Sequence, residues 1–584
     1  MVSVNKKVTI DLNGHTLDYG LGSASTGRSD GSVIYNNCGD LSIVDNSEWH
    51  TGRIIGGFSS EDSSYAGGVY SRGSLYSNRT AKLKLENITI ENCRAGSYGG
   101  GVNIHEHNDV HIKNVTIKNC LAPNGAGIAA YGGTVNLDLD GLKISNCISS
   151  NNGGGIYFDT TGNTQSSSLI LKNSDISNNT CNYDETGTGP NTGKGGGLYI
   201  KGSPNSNIVL QNSIISKNKA NDGASGGGLF IYTTSSTFAT IDNCIISENT
   251  TYRNEGSGVC LMGDGATVEF IDGEICGNYQ QDSYSTSAFG GGIYISSKNK
   301  AIVNGTDIHH NVALTNGAGI YNTGALDVKG NAKIHDNNCS GVYENGGGIM
   351  YYPTNSSSNA SLNLISGSVY NNNGGGGICI YNKVNDASVP NVSTGFKIVD
   401  NYMSDGTASN MFINFNCFVN ILESYSNARN VIGITHAYAN EGTVFAKNVN
   451  HEYLKDYFVS DERREISYDA EGHQLTLGEP PTSFAAARGQ SSIDSGATLG
   501  SEANDVLAQQ GDSVVAPLRS EANAVEQAEA AAVASPAGVV AAVQNWFAAA
   551  VDSASPFAVY IIIGLALASL AGCGFVLYRV RKRD

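Results

Sequence analysis

Between residues 99 and 401 the apolar positions come in short runs of strand length, separated by Gly- and Asn-rich corners, and the runs recur. One marker is a glycine triplet leading into Ile, Leu or Val, as at Gly153-Gly154-Gly155-Ile156 and Gly226-Gly227-Gly228-Leu229. Three variants change the middle residue: Gly125-Ala126-Gly127, Gly256-Ser257-Gly258 and Gly317-Ala318-Gly319. From Gly101 to Gly377 the last glycines of successive copies lie 26, 28, 42, 31, 30, 34, 27, 29 and 29 residues apart. A second marker runs in register, Ile or Val with Asn three residues on: Ile176/Asn179, Ile215/Asn218, Ile246/Asn249, Ile275/Asn278, Ile308/Asn311, Ile334/Asn337, Val369/Asn372 and Ile398/Asn401. Earlier turns hold a thiol in that slot: Ile90/Cys93, Ile117/Cys120 and Ile144/Cys147. Between the markers sits a short alternating segment such as Leu169-Ile170-Leu171 or Leu362-Asn363-Leu364. A period near thirty residues, sustained this long, denotes a solenoid.

Nothing in the repeat has a helical period, so each turn reads as three short β-strands joined by corners. Strand alternation sends every second side chain inward, and Ile, Val and Leu of successive turns then stack into apolar ladders. Asn at a repeated corner tolerates left-handed backbone, and its amide can bond to the Asn one turn away. The expected fold is all-β: a right-handed parallel β-helix of roughly 12 coils, about 55 to 60 Å long at the usual strand spacing.

The paired markers resemble the repeat of chlamydial polymorphic outer-membrane adhesins, with Ile in place of that family's Phe. The opening Val8-Thr9-Ile10-Asp11-Leu12-Asn13-Gly14-His15-Thr16-Leu17 resembles the first strand of pectate-lyase-like β-helices. Residues 402–478, with Val431-Ile432-Gly433-Ile434-Thr435 and Tyr457-Phe458-Val459-Ser460-Asp461, are similar to the segment closing β-helices of Gram-positive gut-bacterial surface proteins. These resemblances imply the fold and a cell-surface setting, and leave the chemistry open, because a fold hosts many functions.

Charge and the C-terminal third change the picture. The chain carries a formal net charge of −18 with only 15% charged residues, which argues against nucleic acid and anionic membrane surfaces as partners. After the β-helix (1–401) and its β-rich terminal coils or cap (402–478), residues 479–555 turn Ala-, Ser- and Gly-rich and read as a low-complexity stalk. A transmembrane helix is expected at 556–578, because Phe557 to Leu577 holds no charge. Residues 579–584 form a basic tail that belongs in the cytoplasm, leaving the N-terminal region outside on a single-pass anchor. Leu507-Ala508-Gln509-Gln510-Gly511 is a near-miss of a sortase signal, with Gln510 where the scissile Thr belongs. Leu570-Ala571-Gly572-Cys573 matches a lipobox only by letters. Met1 leads straight into a strand without an export signal, so a longer reading frame is expected.

Candidate chemistry is sparse. Cys93, Cys120 and Cys147 are spaced 27 apart. Parallel side chains one coil apart sit about 4.8 Å from each other, wider than the ~3.8 Å between Cβ atoms that a disulfide prefers. They read as buried free thiols. His309-His310 reads as a corner with its rings on opposite faces, and no catalytic residue, metal site or cofactor is assigned. Acids are scattered, with none repeated on three consecutive turns. Insertions between the Asn slot and the next glycine run carry Tyr183, Asp184, Glu185, Tyr252, Tyr279 and Tyr284, residues suited to sugar rings or protein surfaces. A further aromatic series, Tyr157, Tyr199, Phe230, Tyr294 and Tyr321, lies two residues after the last glycine. By parity it is an outward stripe or a core ladder.

Three functions compete on these grounds. The first is a surface adhesin or recognition rod for a glycan or a host or cell-surface protein. The second is a polysaccharide lyase or glycoside hydrolase, and the third a passive surface spacer.

Overall fold

A computed structural model describes residues 2–20, 31–59, 66–161, 166–182, 193–221, 223–233, 237–252, 254–281, 288–340, 345–354, 359–382, 388–424, 431–437 and 439–479. These form a parallel β-solenoid of a dozen or more turns. In the turn that follows Gly155 the first strand is Ile156–Asp159, the second Ser168–Lys172 and the third Asp175–Ser177. A fourth strand of two residues, Thr180–Cys181, then leads to the next glycine run, where the sequence pattern led us to expect only three strands. Each strand pairs in register with its equivalent one turn on: Ile156 with Leu198, Leu169 with Ile208, Ile176 with Ile215. The ladder remains parallel through Ile432–His436 and Phe458–Ser460. Antiparallel pairing of Gln474–Leu477 with Thr443–Lys447 and Ile466–Asp469 then ends it.

One continuous core runs up the inside. The third strand contributes a single inward residue per turn, and Ile176, Ile215, Ile246, Ile275, Ile308 and Ile334 are all essentially inaccessible. Burying such a side chain stabilises by roughly 1.5–3 kcal/mol, and every turn repeats the gain, so the ladder is the main cohesive element.

Beside it runs a polar ladder. The amide of Asn179 donates to Asn218 Oδ1 at 3.1 Å and to the Ile144 carbonyl at 3.0 Å. Asn218, Asn249, Asn278, Asn311, Asn337 and Asn372 repeat the arrangement. Asn401 passes it to Asn410, whose side chain ends on Asp461. These asparagines are buried and inward-facing, which corrects the expectation that they tolerate the corner. The left-handed position is the preceding residue, such as Asn178 (φ 56°), Lys217 (56°), Glu248 (54°) or His310 (53°). A different set does hold left-handed corners, between second and third strands: Asn114, Asn173, Asn212 and Asn243.

The glycine triplet meets two separate demands. The first glycine is left-handed, as at Gly226 (φ 72°). The last has no room: a Cβ on Gly228 would sit 2.7 Å from the Gly258 carbonyl oxygen and 2.8 Å from Asn249 Nδ2.

Among the described residues no helix is long and apolar enough to cross a membrane. The expected span at 557–577 lies outside them, with the stalk from residue 480 onward and the basic tail.

Candidate functional site

Of the six edge residues expected to bind, Tyr183, Asp184, Glu185 and Tyr284 lie outside the described residues. Tyr252 and Tyr279 fall on adjacent turns of one edge, since Thr250 pairs with Tyr279. Tyr279 is 39% exposed, whereas Tyr252 is half-buried and its amide donates to the Ala220 carbonyl.

The aromatic series after the glycines points outward, because Ile156 and Phe158 belong to the core and Tyr157 sits between them. It is nonetheless covered. Tyr157, Tyr199 and Phe230 stack at 5.1 and 5.6 Å between centroids and keep at most 8% exposure. Lys194 lies over the Phe230 ring at 5.0 Å. Rings stacked along the axis turn their faces to each other, so no face is left for a sugar, and this column is structural.

At the end of the first strands the register assembles polar groups that sequence reading missed. Asp159 accepts from the Tyr157 hydroxyl at 3.1 Å and from the Thr161 hydroxyl at 2.6 Å, and Lys201 Nζ lies 3.4 Å away. Burial and the Asp159 charge push the Tyr157 phenol well up. One turn below Asp159, Tyr131 is sandwiched by His105 (4.5 Å) and Tyr98 (4.1 Å), and His105 Nδ1 lies 3.2 Å from the Tyr70 hydroxyl. Burial holds the His105 pKa below its usual range. Glu106, beside His105, is a second carboxylate close to this group, and it accepts from Arg72 Nη2 at 2.8 Å and from the Leu75 amide at 3.2 Å.

A second cluster lies on the outside of the third strands. Glu274, Asp307 and Lys333 form one column, and Cys276, His309, His335 and Tyr370 the next. The stacked rings sit 5.2 Å (His309 to His335) and 4.7 Å (His335 to Tyr370) apart. His335 Nε2 is 2.8 Å from Asp307 Oδ1, and its Nδ1 is 2.6 Å from Asp336 Oδ2. The expectation that His309 and His310 face opposite ways fails: the left-handed backbone of His310 turns the chain, and their Nδ1 atoms lie 2.8 Å apart. Glu274, Cys276 and His309 each bring a metal-ligating atom within 4.8 Å of the others. Burial lowers the His309 pKa, while burial and the negative Glu274, Glu248 and Asp307 push the Cys276 thiol up to about 11. The signal was present in the sequence. Aligning turns on Ile275, Ile308 and Ile334 puts their flanking residues in columns, but the acidic column stops after two turns, where Lys333 follows Glu274 and Asp307.

The thiols of Cys93, Cys120 and Cys147 are free, buried and aimed at carbonyls of Glu91, Lys118 and Ser145. Two shallow depressions of about 300 and 250 Å³, one beside His50 and Asn114, the other beside Lys6 and Asp40, are lined by none of these groups. No curated protein and no solved structure matches the chain. Residues 21–271 match the family model described as the right-handed β-helix region.

Proposed function

We propose that the chain is a cell-surface recognition rod that binds a glycan or a host or cell-surface protein along its looped edge, anchored by the apolar segment 557–577. The observation that carries this reading is the contrast within each turn. The inner ladders repeat with little change, whereas the segment between the ladder asparagine and the next glycine triplet runs from two residues after Asn372 to fifteen after Asn179. A solenoid adds loops on one edge without disturbing its core, and binding residues collect there. The edge residues that support it are Tyr252 and the exposed Tyr279 on the neighbouring turn. A glycan array and a panel of host surface proteins, probed with the full chain, test it. Binding should fall at least tenfold when Tyr252 and Tyr279 both become Ala, with the thermal midpoint nearly unchanged. No binding to either panel would leave the spacer reading.

The group around Asp159 favours a second reading, a polysaccharide lyase or hydrolase acting at Tyr157, Asp159, Lys201 and His105. Depolymerisation of pectin, alginate or a similar glycan at enzymatic rates, lost on Asp159→Asn, would replace the binder with the enzyme.

A further inference from the structure

We propose that Glu274, Cys276 and His309 bind a thiophilic divalent cation, Zn²⁺ by preference, on the outer face of the third-strand sheet. Two of the ligands are set by the sheet. Cys276 and His309 are directly paired across adjacent turns, and each follows a fully buried isoleucine (Ile275, Ile308) that locks the strand in register. Glu274 lies two residues before Cys276 and so faces the same way. Its Oε2 is 3.9 Å from Cys276 Sγ and 3.9 Å from His309 Nε2. Zinc bonds of about 2.0–2.1 Å to N and O and about 2.3 Å to S imply ligand separations of roughly 3.4–3.6 Å in a tetrahedron. The gap to close from Glu274 to each of the other two ligands is therefore about half an ångström, within reach of its half-exposed side chain, while Cys276 and His309 offer ligand atoms within 4.8 Å of each other.

The surroundings prepare the imidazole. When His309 Nδ1–H donates to His310 Nδ1, the lone pair of His309 rests on Nε2, the atom nearest Glu274. His335 stacks on the His309 ring at an interplanar angle of 11° and is itself tied to Asp307 and Asp336, which fixes the ring plane. Lys217 and Lys333 stand beside Glu248 and Asp307, so the basic side chains nearby already have carboxylate neighbours. Sulfur and nitrogen donors exclude Ca²⁺ and Mg²⁺, which take oxygen ligands. Binding releases the Cys276 proton to solvent, and three protein ligands leave the fourth position to water.

The test uses the full chain without a histidine tag. Equilibrium dialysis should find one tight Zn²⁺ per chain. Titration with Co²⁺ should produce a thiolate-to-metal charge-transfer band, absent from Cys276→Ser. Glu274→Gln, Cys276→Ser and His309→Gln should each weaken Zn²⁺ binding by more than about tenfold, while Asp327→Asn in the second-strand sheet should not. In the unmutated chain, Zn²⁺ should slow alkylation of Cys276 in peptide maps, a readout that needs no variant to fold. Equal alkylation with and without Zn²⁺, or full-strength binding by Cys276→Ser, overturns the site.

Discussion

Replacing Asn249 by Ala should open the solenoid at one place. The side chain is fully buried and holds four hydrogen bonds: to the Ile215 carbonyl (2.9 Å), to Asn278 Oδ1 (3.0 Å), and from the Asn218 amide N–H and side-chain Nδ2 (both 3.0 Å). Not all four losses weigh equally. Asn218 Nδ2 retains the Ile176 carbonyl, and Asn278 Oδ1 retains the Asn249 backbone N–H. The Asn218 backbone N–H loses its acceptor in a site closed to water. An orphaned buried donor costs about 1–3 kcal/mol and each of the other three lost bonds about 0.5–1.5 kcal/mol, so the variant should lose at least about 2.5 kcal/mol. In a solenoid that loss falls on the affected turn and its neighbours, so a global midpoint understates it. Hydrogen exchange resolved to the Asn218 amide is the direct assay, and about 3 kcal/mol corresponds to exchange roughly a hundredfold faster. The exposed Asn136, which donates to Asp109 Oδ1 at 2.9 Å, is the control, and Asn136→Ala should change stability by less than about 0.5 kcal/mol. If Asn218 exchanges no faster in Asn249→Ala than in Asn136→Ala, the ladder is not a stabilising element.

Gly228→Ala should cost about 1–3 kcal/mol in urea unfolding, because its Cβ meets the Gly258 carbonyl and the buried Asn249 amide. Gly291→Ala should cost less, although its Cβ also approaches the Ala318 and Val312 carbonyls, since Ala126 and Ala318 fill the same position in sister turns and show that the backbone there can shift. Equal costs would contradict the close-approach argument. Burial alone would raise the Asp45 pKa, but N–H groups of Gly52, Ser47 and Gly14 outweigh it and hold the carboxyl at about 2. A depressed folded pKa makes its contribution full above the unfolded value near 4, and it is lost as pH falls through 2. Amide protection of Gly14 and Gly52 should therefore fall across pH 4 to 2, and Asp45→Asn should remove that transition. Cys93, Cys120 and Cys147 should resist alkylation in the native chain, since all three are buried and the Cys93 thiol is pushed up by a hydrogen bond with the Cys120 thiol and by burial. In denaturant without reductant all three should be modified, and a disulfide-linked peptide between any two would refute the free-thiol assignment.

Glycine triplets and the Ile-x-x-Asn marker are local statements repeated many times, and repetition alone determined the parallel solenoid, its period and its apolar ladders. A side chain that recurs every thirty residues must meet its own copy one turn away. Local pattern could not say which residue carries the left-handed corner, because Asn178 and Asn179 are the same amino acid and only backbone dihedrals separate corner from ladder. Nor could it show that the outward aromatic series is covered, since exposure depends on neighbouring turns and not on parity alone. The Glu274, Cys276, His309 and His335 cluster is a tertiary product for the same reason. Its members lie up to sixty-one positions apart in sequence and share one face through strand register, while the left-handed φ of His310 brings that neighbouring ring beside His309.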